Sequence, residues 1–175
     1  IDMPTDGKVV SGSIKYNDDY TYDSSSNYFN LASDDTIAAN SHSIINWNTF
    51  DIGLSGVLTF DTSNGALLNR VTGSYASWLQ GTLNHTGTHP LLLVNPQGIH
   101  VYQGATINGA NLILSGLDMT DTALSNFSTA GAVAYDTAST GDVNLESGIT
   151  FSNEAEKLAL AGRNVTVAQN TIKAE

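Results

Sequence analysis

The chain has 175 residues, 41% of them apolar, a formal net charge of −11 and no cysteine. That is enough for one domain with a real core, and no run approaches the roughly 20 apolar residues of a membrane-spanning helix. Seventeen acids against six bases disfavour a phosphate backbone as partner, and the lack of cysteine removes disulfides, thiolate metal sites and cysteine nucleophiles.

Glycine, threonine, serine and asparagine are abundant and proline is scarce, so the composition predicts an all-β protein whose short strands are separated by glycine and asparagine turns. Residues 152–161 have local helix propensity, but Leu158 and Leu160 are spaced as in a strand. Ile1 is not a start methionine, so a processed amino terminus is expected.

Residues 1–42 are the least regular part and are expected to form an irregular β cap. Val9 to Tyr16 reads as a strand pair, Tyr20-Thr21-Tyr22 as a further strand and Ser24 to Asn27 as a turn. A coil of strands has an open end, and an atypical first layer protects that edge from pairing with other chains. The coil is assigned to 43–175. Its first strand carries Ile45 and Trp47, with Asn46 and Asn48 between and after them, and Phe50 and Ile52 follow after a one-residue slip. The slip predicts a bulge or corner near Asn48-Thr49.

Short strands then recur at 57–60, 66–68, 69–71, 78–79 and 82–83. Leu91-Leu92-Leu93-Val94 is apolar at every position, which predicts a strand covered on both faces. Asn95-Pro96-Gln97-Gly98 ends it. Pro96 holds Asn95 extended and cannot donate to a ladder, and Gly98 can take the positive φ of a sharp corner before Ile99 opens the next strand.

Apolar positions 83, 107, 149 and 172, three of them directly after threonine, are separated by 24, 42 and 23 residues, and 42 reads as two turns of 21. Gly98-Ile99-His100-Val101 and Gly162-Arg163-Asn164-Val165 recur about three turns apart. The period, about 22 residues with three short strands, predicts a parallel β-helix, and the whole length allows roughly eight turns. Thr120 to Ala138 is expected to give one of them, with Leu124, Phe127, Val133 and Tyr135 in the core and Gly131 at a corner. The rival architecture is a β-sandwich, for which Asn64-Gly65 and Asn108-Gly109 supply hairpin signals.

The ordered series Ile45–Gly53, Ala66–Gly73, Leu79–Leu83, Leu92–Ile99 and Ala105–Met119 resembles the amino-terminal secretion domain of two-partner-secretion exoproteins, the filamentous haemagglutinin and high-molecular-weight adhesin family. The resemblance implies a right-handed parallel β-helix at the start of a much longer secreted adhesin or related exoprotein. It also implies partners: an outer-membrane TpsB-type transporter of the Omp85 class whose periplasmic POTRA domains recognise the chain, and host cell surface or glycans bound through the downstream region. Export from a Gram-negative bacterium would run through the periplasm to the medium or cell surface, with β-helix folding nucleated outside. Asn95, Pro96, Gly98 and Ile99 match the family's NPNGI motif, with Gln97 in place of its asparagine; these five are the candidate recognition and folding motif. Asn46, Trp47, Asn48, Phe50, Asn69 and Arg70 form a secondary candidate motif.

Each motif also has a plain structural reading: Asn95 as a turn residue bonded to nearby backbone, and Arg70 as a cover for apolar surface paired with a carboxylate. Function readings from other classes are a freestanding adhesive or ligand-binding module and a polysaccharide-active β-helix enzyme. Six scattered bases make a poor lyase site, so no catalytic residue and no cofactor is assigned. No metal site is assigned either, since His85 and His89 flank loop residues and Asp18-Asp19 and Asp34-Asp35 lack a ligand series. Sequons stand at Asn84, Asn126 and Asn164.

Overall fold

The computed structural model describes residues 2–152 and 157–169. Three antiparallel cap strands come first, β1 (Lys8–Ser11), β2 (Ser13–Tyr16) and β3 (Tyr20–Asp23). From Asp35 the chain winds as a parallel coil of about five turns. The first turn holds β4 (Asp35–Ala39) and β5 (Ser43–Trp47), closed by a single parallel bridge from Ile52 to Leu79. The second holds β6 (Val57–Asp61), β7 (Leu67–Val71) and β8 (Ser77–Leu79), and the third holds β9 (Thr82–Thr86), β10 (Leu91–Val94) and β11 (Ile99–Val101). In the fourth, β12 (Thr106–Asn108) and β13 (Leu112–Ser115) are separated from β14 (Val143–Leu145) by helix α1 (Asp121–Ala130). The last described turn is β15 (Thr150–Ser152), β16 (Leu158–Ala161) and β17 (Val165–Val167).

Stacking these turns makes three flat sheets around one core. Their orders are β1-β5-β7-β10-β13-β16, β8-β11-β14-β17 and β3-β2-β4-β6-β9-β12-β15. The register keeps like over like: Ile45, Asn69, Leu93 and Leu114 stand in one inward column, and Leu83, Ile107 and Phe151 in another. Side chains alternate in and out along each strand, so only every second residue reaches the core. The two short strands expected at 66–68 and 69–71 are one element, β7, and the Asn48-Thr49 corner falls where the slip predicts it.

Two expectations about the coil need correction. Asn64-Gly65 and Asn108-Gly109 are corners that lead from one sheet to another, β6 to β7 and β12 to β13, so neither joins paired antiparallel strands. The turn count falls from eight to about five, partly because the cap consumes the first strands. The other reason is that β14 lies directly on β11, Ile99 beside Val143. The 42-residue interval is therefore one turn with an insertion, and the two glycine-led repeats are two turns apart, with Val165 over Val143. Thr171-Ile172 lies outside the described residues.

The insertion is the helix, where a coil turn was expected. Thr120 is its N-cap, its Oγ1 accepting the Ala123 N–H at 3.2 Å, and Asp121 complements the helix dipole in the first turn. Gly131 ends it in the left-handed conformation, φ 67°, its N–H donating to Phe127 O. Met119, Ala123 and Phe127, four apart, bury one face against Ile44, Ala66, Leu68, Leu92 and Val94 on the outside of the six-stranded sheet. Hence β10 is buried at all four positions, as its apolar run predicts: Leu91 and Leu93 face the coil interior, Leu92 and Val94 the helix. Of the other helix candidate, Leu158–Ala161 is strand, and residues 153–156 lie outside the described set.

The cap seals the first turn with aromatic rings. Tyr22 stacks on Phe29 at 4.8 Å, Phe29 meets Trp47 edge-on at 5.3 Å, and Trp47 meets Phe50 at 5.9 Å. Gly7 crosses Trp47 so closely that a Cβ there would fall 2.4 Å from the indole ring. Asp35, 8% exposed, binds the cap to the coil by accepting from Tyr16 Oη (2.5 Å), Asn17 Nδ2 (2.8 Å) and the Ala32 N–H (2.7 Å). Partial burial, followed by this bond and the nearby carboxylate charge, pushes the Tyr16 hydroxyl up to about 12.

Candidate functional site

The Asn95 corner joins the six-stranded sheet to the four-stranded one. Asn95 is fully buried, and its side chain satisfies three groups at once. Oδ1 accepts the Gln97 N–H at 2.9 Å, while Nδ2 donates to Tyr75 O (2.9 Å) and Ser77 Oγ (3.0 Å) on the turn below. The Gly98 N–H closes the turn on Asn95 O at 2.9 Å, with φ at 114°, a region that favours glycine. Ile99 then enters the core, 2% exposed. Pro96 and Gln97 form the outer surface of the corner, so the motif ties two successive turns together and shows only its tip to solvent.

The secondary motif divides by strand alternation. Trp47 and Asn69 point inward on adjacent strands, both essentially buried. The indole Nε1 donates to Asn69 Oδ1 at 3.0 Å, and Asn69 Nδ2 donates to Leu92 O at 3.3 Å, which satisfies two polar groups inside an apolar core. Phe50 is also core, stacked on Phe60 at 6.1 Å. Asn46 and Arg70, paired in register, point outward. Arg70 makes a bidentate pair with Asp118, Nε to Oδ1 at 2.8 Å and a terminal guanidinium nitrogen to Oδ2 at 3.0 Å, which fixes the start of the helical insertion. The Asp118 bond holds the guanidinium pKa above its ordinary value despite partial burial.

Asn46 sits where two grooves meet on this outer face. One, about 530 Å³, is lined by Lys8, Tyr28, Asn48 and Thr72, and the other, about 410 Å³, by Arg70, Leu124 and Ser128; Val10 and Asn46 line both. Asn46 Oδ1 is buried and has no hydrogen-bond partner among the described residues. The folded chain therefore brings Asn46, Asn48 and Arg70 to one surface between cap and helix. Asn95 to Gly98 stand at a separate corner of the coil, and Trp47, Phe50 and Asn69 lie between the two, inside the core.

The two histidines bond within the fold. His85 Nε2 lies 2.6 Å from Thr62 Oγ1, and His89 Nδ1 bonds Thr62 O at 2.8 Å. Burial lowers the His85 pKa, outweighing hydrogen bonds and the Asp61 charge that raise it. Asn84 belongs to an outward ladder with Thr59 and Asn108, Asn164 bonds Asp142, and Asn126 is exposed on the helix. One feature has no counterpart among the expected sites, a patch of exposed aromatic rings around Trp78. Its signal was Trp78 between the inward residues Ser77 and Leu79, which turns the indole outward.

The sequence profile of the family described as TPS secretion domain matches residues 8–175. Two sequences named heme/hemopexin-binding protein from Haemophilus influenzae, one from strain Rd, are 40% and 39% identical over 77 residues. Each match covers 43% of this chain and 8% of the relative, so the chain spans a small fraction of those proteins' length. Among solved structures, the crystal structure of the HMW1 secretion domain from Haemophilus influenzae superposes with a TM-score of 0.67 at 23% identity, covering 93% of this chain and 40% of that one. The parallel β-helix expected from the sequence is the fold they share.

Proposed function

The chain belongs to the TPS secretion domain family, and from that membership we propose that it is the export-directing part of a large secreted adhesin or haem-binding-type exoprotein. A cognate outer-membrane TpsB-type transporter recognises it through periplasmic POTRA domains, and its folding outside the cell seeds a longer β-helix. Export takes it through the periplasm of a Gram-negative bacterium to the surface or medium. The family and the fold are those of a secretion domain rather than of an enzyme.

The observation that carries this reading is the unequal construction of the coil. Antiparallel cap strands seal its first turn, whereas each later strand is laid in parallel register on the strand one turn earlier. Such a body grows in one direction, each finished turn offering the edge on which the next is templated. A chain free of cysteine also crosses an oxidising compartment without disulfide traps. For recognition, the groove at Asn46 offers Asn48 and Lys8 to a partner, over the buried Asn46 Oδ1 that has no hydrogen-bond partner among the described residues. The Asn95 corner acts through the fold.

Secretion tests the proposal. The domain is expressed with a signal peptide, with and without the transporter encoded beside it, and the medium is assayed. Release is expected only with the transporter. Replacing Asn46 and Asn48 with alanine is expected to abolish release while thermal stability holds, and replacing Asn95 and Pro96 to reduce release together with stability. Equal release without the transporter, or none with it despite a folded product, overturns the assignment.

A further inference from the structure

The three outer faces of the coil are unlike one another. Helix α1 covers the six-stranded sheet, and the seven-stranded sheet presents the polar ladder Thr59, Asn84 and Asn108. The four-stranded sheet presents aromatic rings. Trp78 is 46% exposed and lies nearly parallel to Tyr102, with centroids 5.5 Å apart and planes at 22°. The His100 ring lies 5.9 Å from Trp78 and 4.3 Å from Tyr102. Beside them Tyr75 is 70% exposed.

The segments that carry these rings are fixed by hydrogen bonds. Glu146 Oε1 pairs with His100 Nε2 at 3.0 Å, and its Oε2 accepts the Gln103 N–H at 2.8 Å. Asp51 Oδ1 accepts the Trp78 backbone N–H at 2.9 Å. The Asn95 side chain holds Tyr75 O and Ser77 Oγ, so the buried corner also fixes the segment that displays Tyr75 and Trp78.

Where this platform meets the cap, a groove of about 790 Å³ opens, lined by Tyr75 and Trp78 together with Thr5, Asn30, Ser33 and Asp51. Its charged groups are Asp51 and Asp2, both acids. We propose that this groove binds an uncharged saccharide, with Tyr102 and His100 extending the stacking surface along the sheet.

The chemistry of the lining selects that ligand. A sugar ring has an apolar C–H face that stacks on an indole or phenol and a rim of hydroxyls that exchange hydrogen bonds with hydroxyl, amide and carboxylate groups. Both kinds of surface are present here, and the backbone that carries Tyr75 and Trp78 is already fixed, which lowers the ordering cost of binding. Two carboxylates without a base in the lining, on a chain of net charge −11, repel sulfated and uronate polymers and leave uncharged sugars as the favoured class. This site goes beyond the export role and does not depend on it.

The chain has two tryptophans, and Trp47 is fully buried, so saccharide-dependent changes in indole emission report Trp78. The folded domain is screened on an array of neutral glycans and titrated with lactose, cellobiose, maltose and N,N′-diacetylchitobiose. A saturable response at about millimolar affinity is expected for at least one. Trp78→Ala and Tyr75→Ala should each weaken binding by about tenfold, the array or NMR serving as readout where the indole is gone. Tyr75 is the firmer test because its exposed ring can be removed with the melting temperature unchanged. Heparin should give no response. No neutral glycan bound, unaltered binding in Tyr75→Ala and Trp78→Ala, equal binding of heparin, or binding confined to peptides would each overturn the proposal.

Discussion

The six-stranded and four-stranded sheets are built from the same turns and pack into the same core, yet their outer faces have opposite fates. On the first, Ile44, Leu68, Leu92 and Val94 point outward and are buried under Phe127 and Ala123. On the second, Trp78 points outward and stays exposed, held among His100 and Tyr102. In a parallel coil the inward column is fixed by stacking, so the outward column records what covers each face. Aliphatic residues there mark a face covered by the chain itself, and exposed aromatic rings mark one left open.

Mutations on the two faces should therefore differ most. Phe127→Ala empties a fully buried site and is expected to cost about 3–5 kcal/mol in denaturant unfolding. Trp78→Ala on the open face should cost about 1 kcal/mol or less. Equal losses would break the contrast. Asn95→Ala, at the corner between the faces, leaves Ser77 Oγ and Tyr75 O without their donor and should cost about 2–3 kcal/mol. Hydrogen exchange should then rise at residues 75–79 before it rises under the helix.

The smallest effect is a pH slope. His85 is buried and its pKa lies below the ordinary histidine value. The unfolded chain therefore binds more protons in the window below about pH 6.5, and stability is lost as pH falls through that window toward the lowered folded pKa. Urea midpoints between neutral pH and about pH 5 should show this slope, and His85→Gln should flatten it.

Much of this was legible in the sequence. Leu91 to Val94, apolar at every position, announced a strand covered on both faces, and Asn-Pro-Gln-Gly announced the corner. What covered the outer face was not legible. Helix α1 is written in threonine, serine and asparagine, poor helix formers whose use here rests on a Thr120 cap, a Gly131 stop and burial of Phe127. Missing it turned one long turn into two. The Asn46 groove and the Trp47–Asn69 bond were equally hidden. Alternation assigns Asn69 inward, between Leu67 and Val71, but only the fold shows the indole N–H that satisfies it.

Helix α1 leaves the coil in the fourth turn but lies against earlier ones. Phe127 packs among residues of the first three turns, and Ser128 Oγ bonds Ser11 Oγ of the cap at 2.9 Å. Opening of the last described turn, β15 to β17, breaks pairing with the fourth turn alone among the described residues. It then meets a clasp, because opening the third turn requires the helix to lift from the cap and the first turn as well. The coil thus has a ratchet between its last described turn and a body that opens all at once.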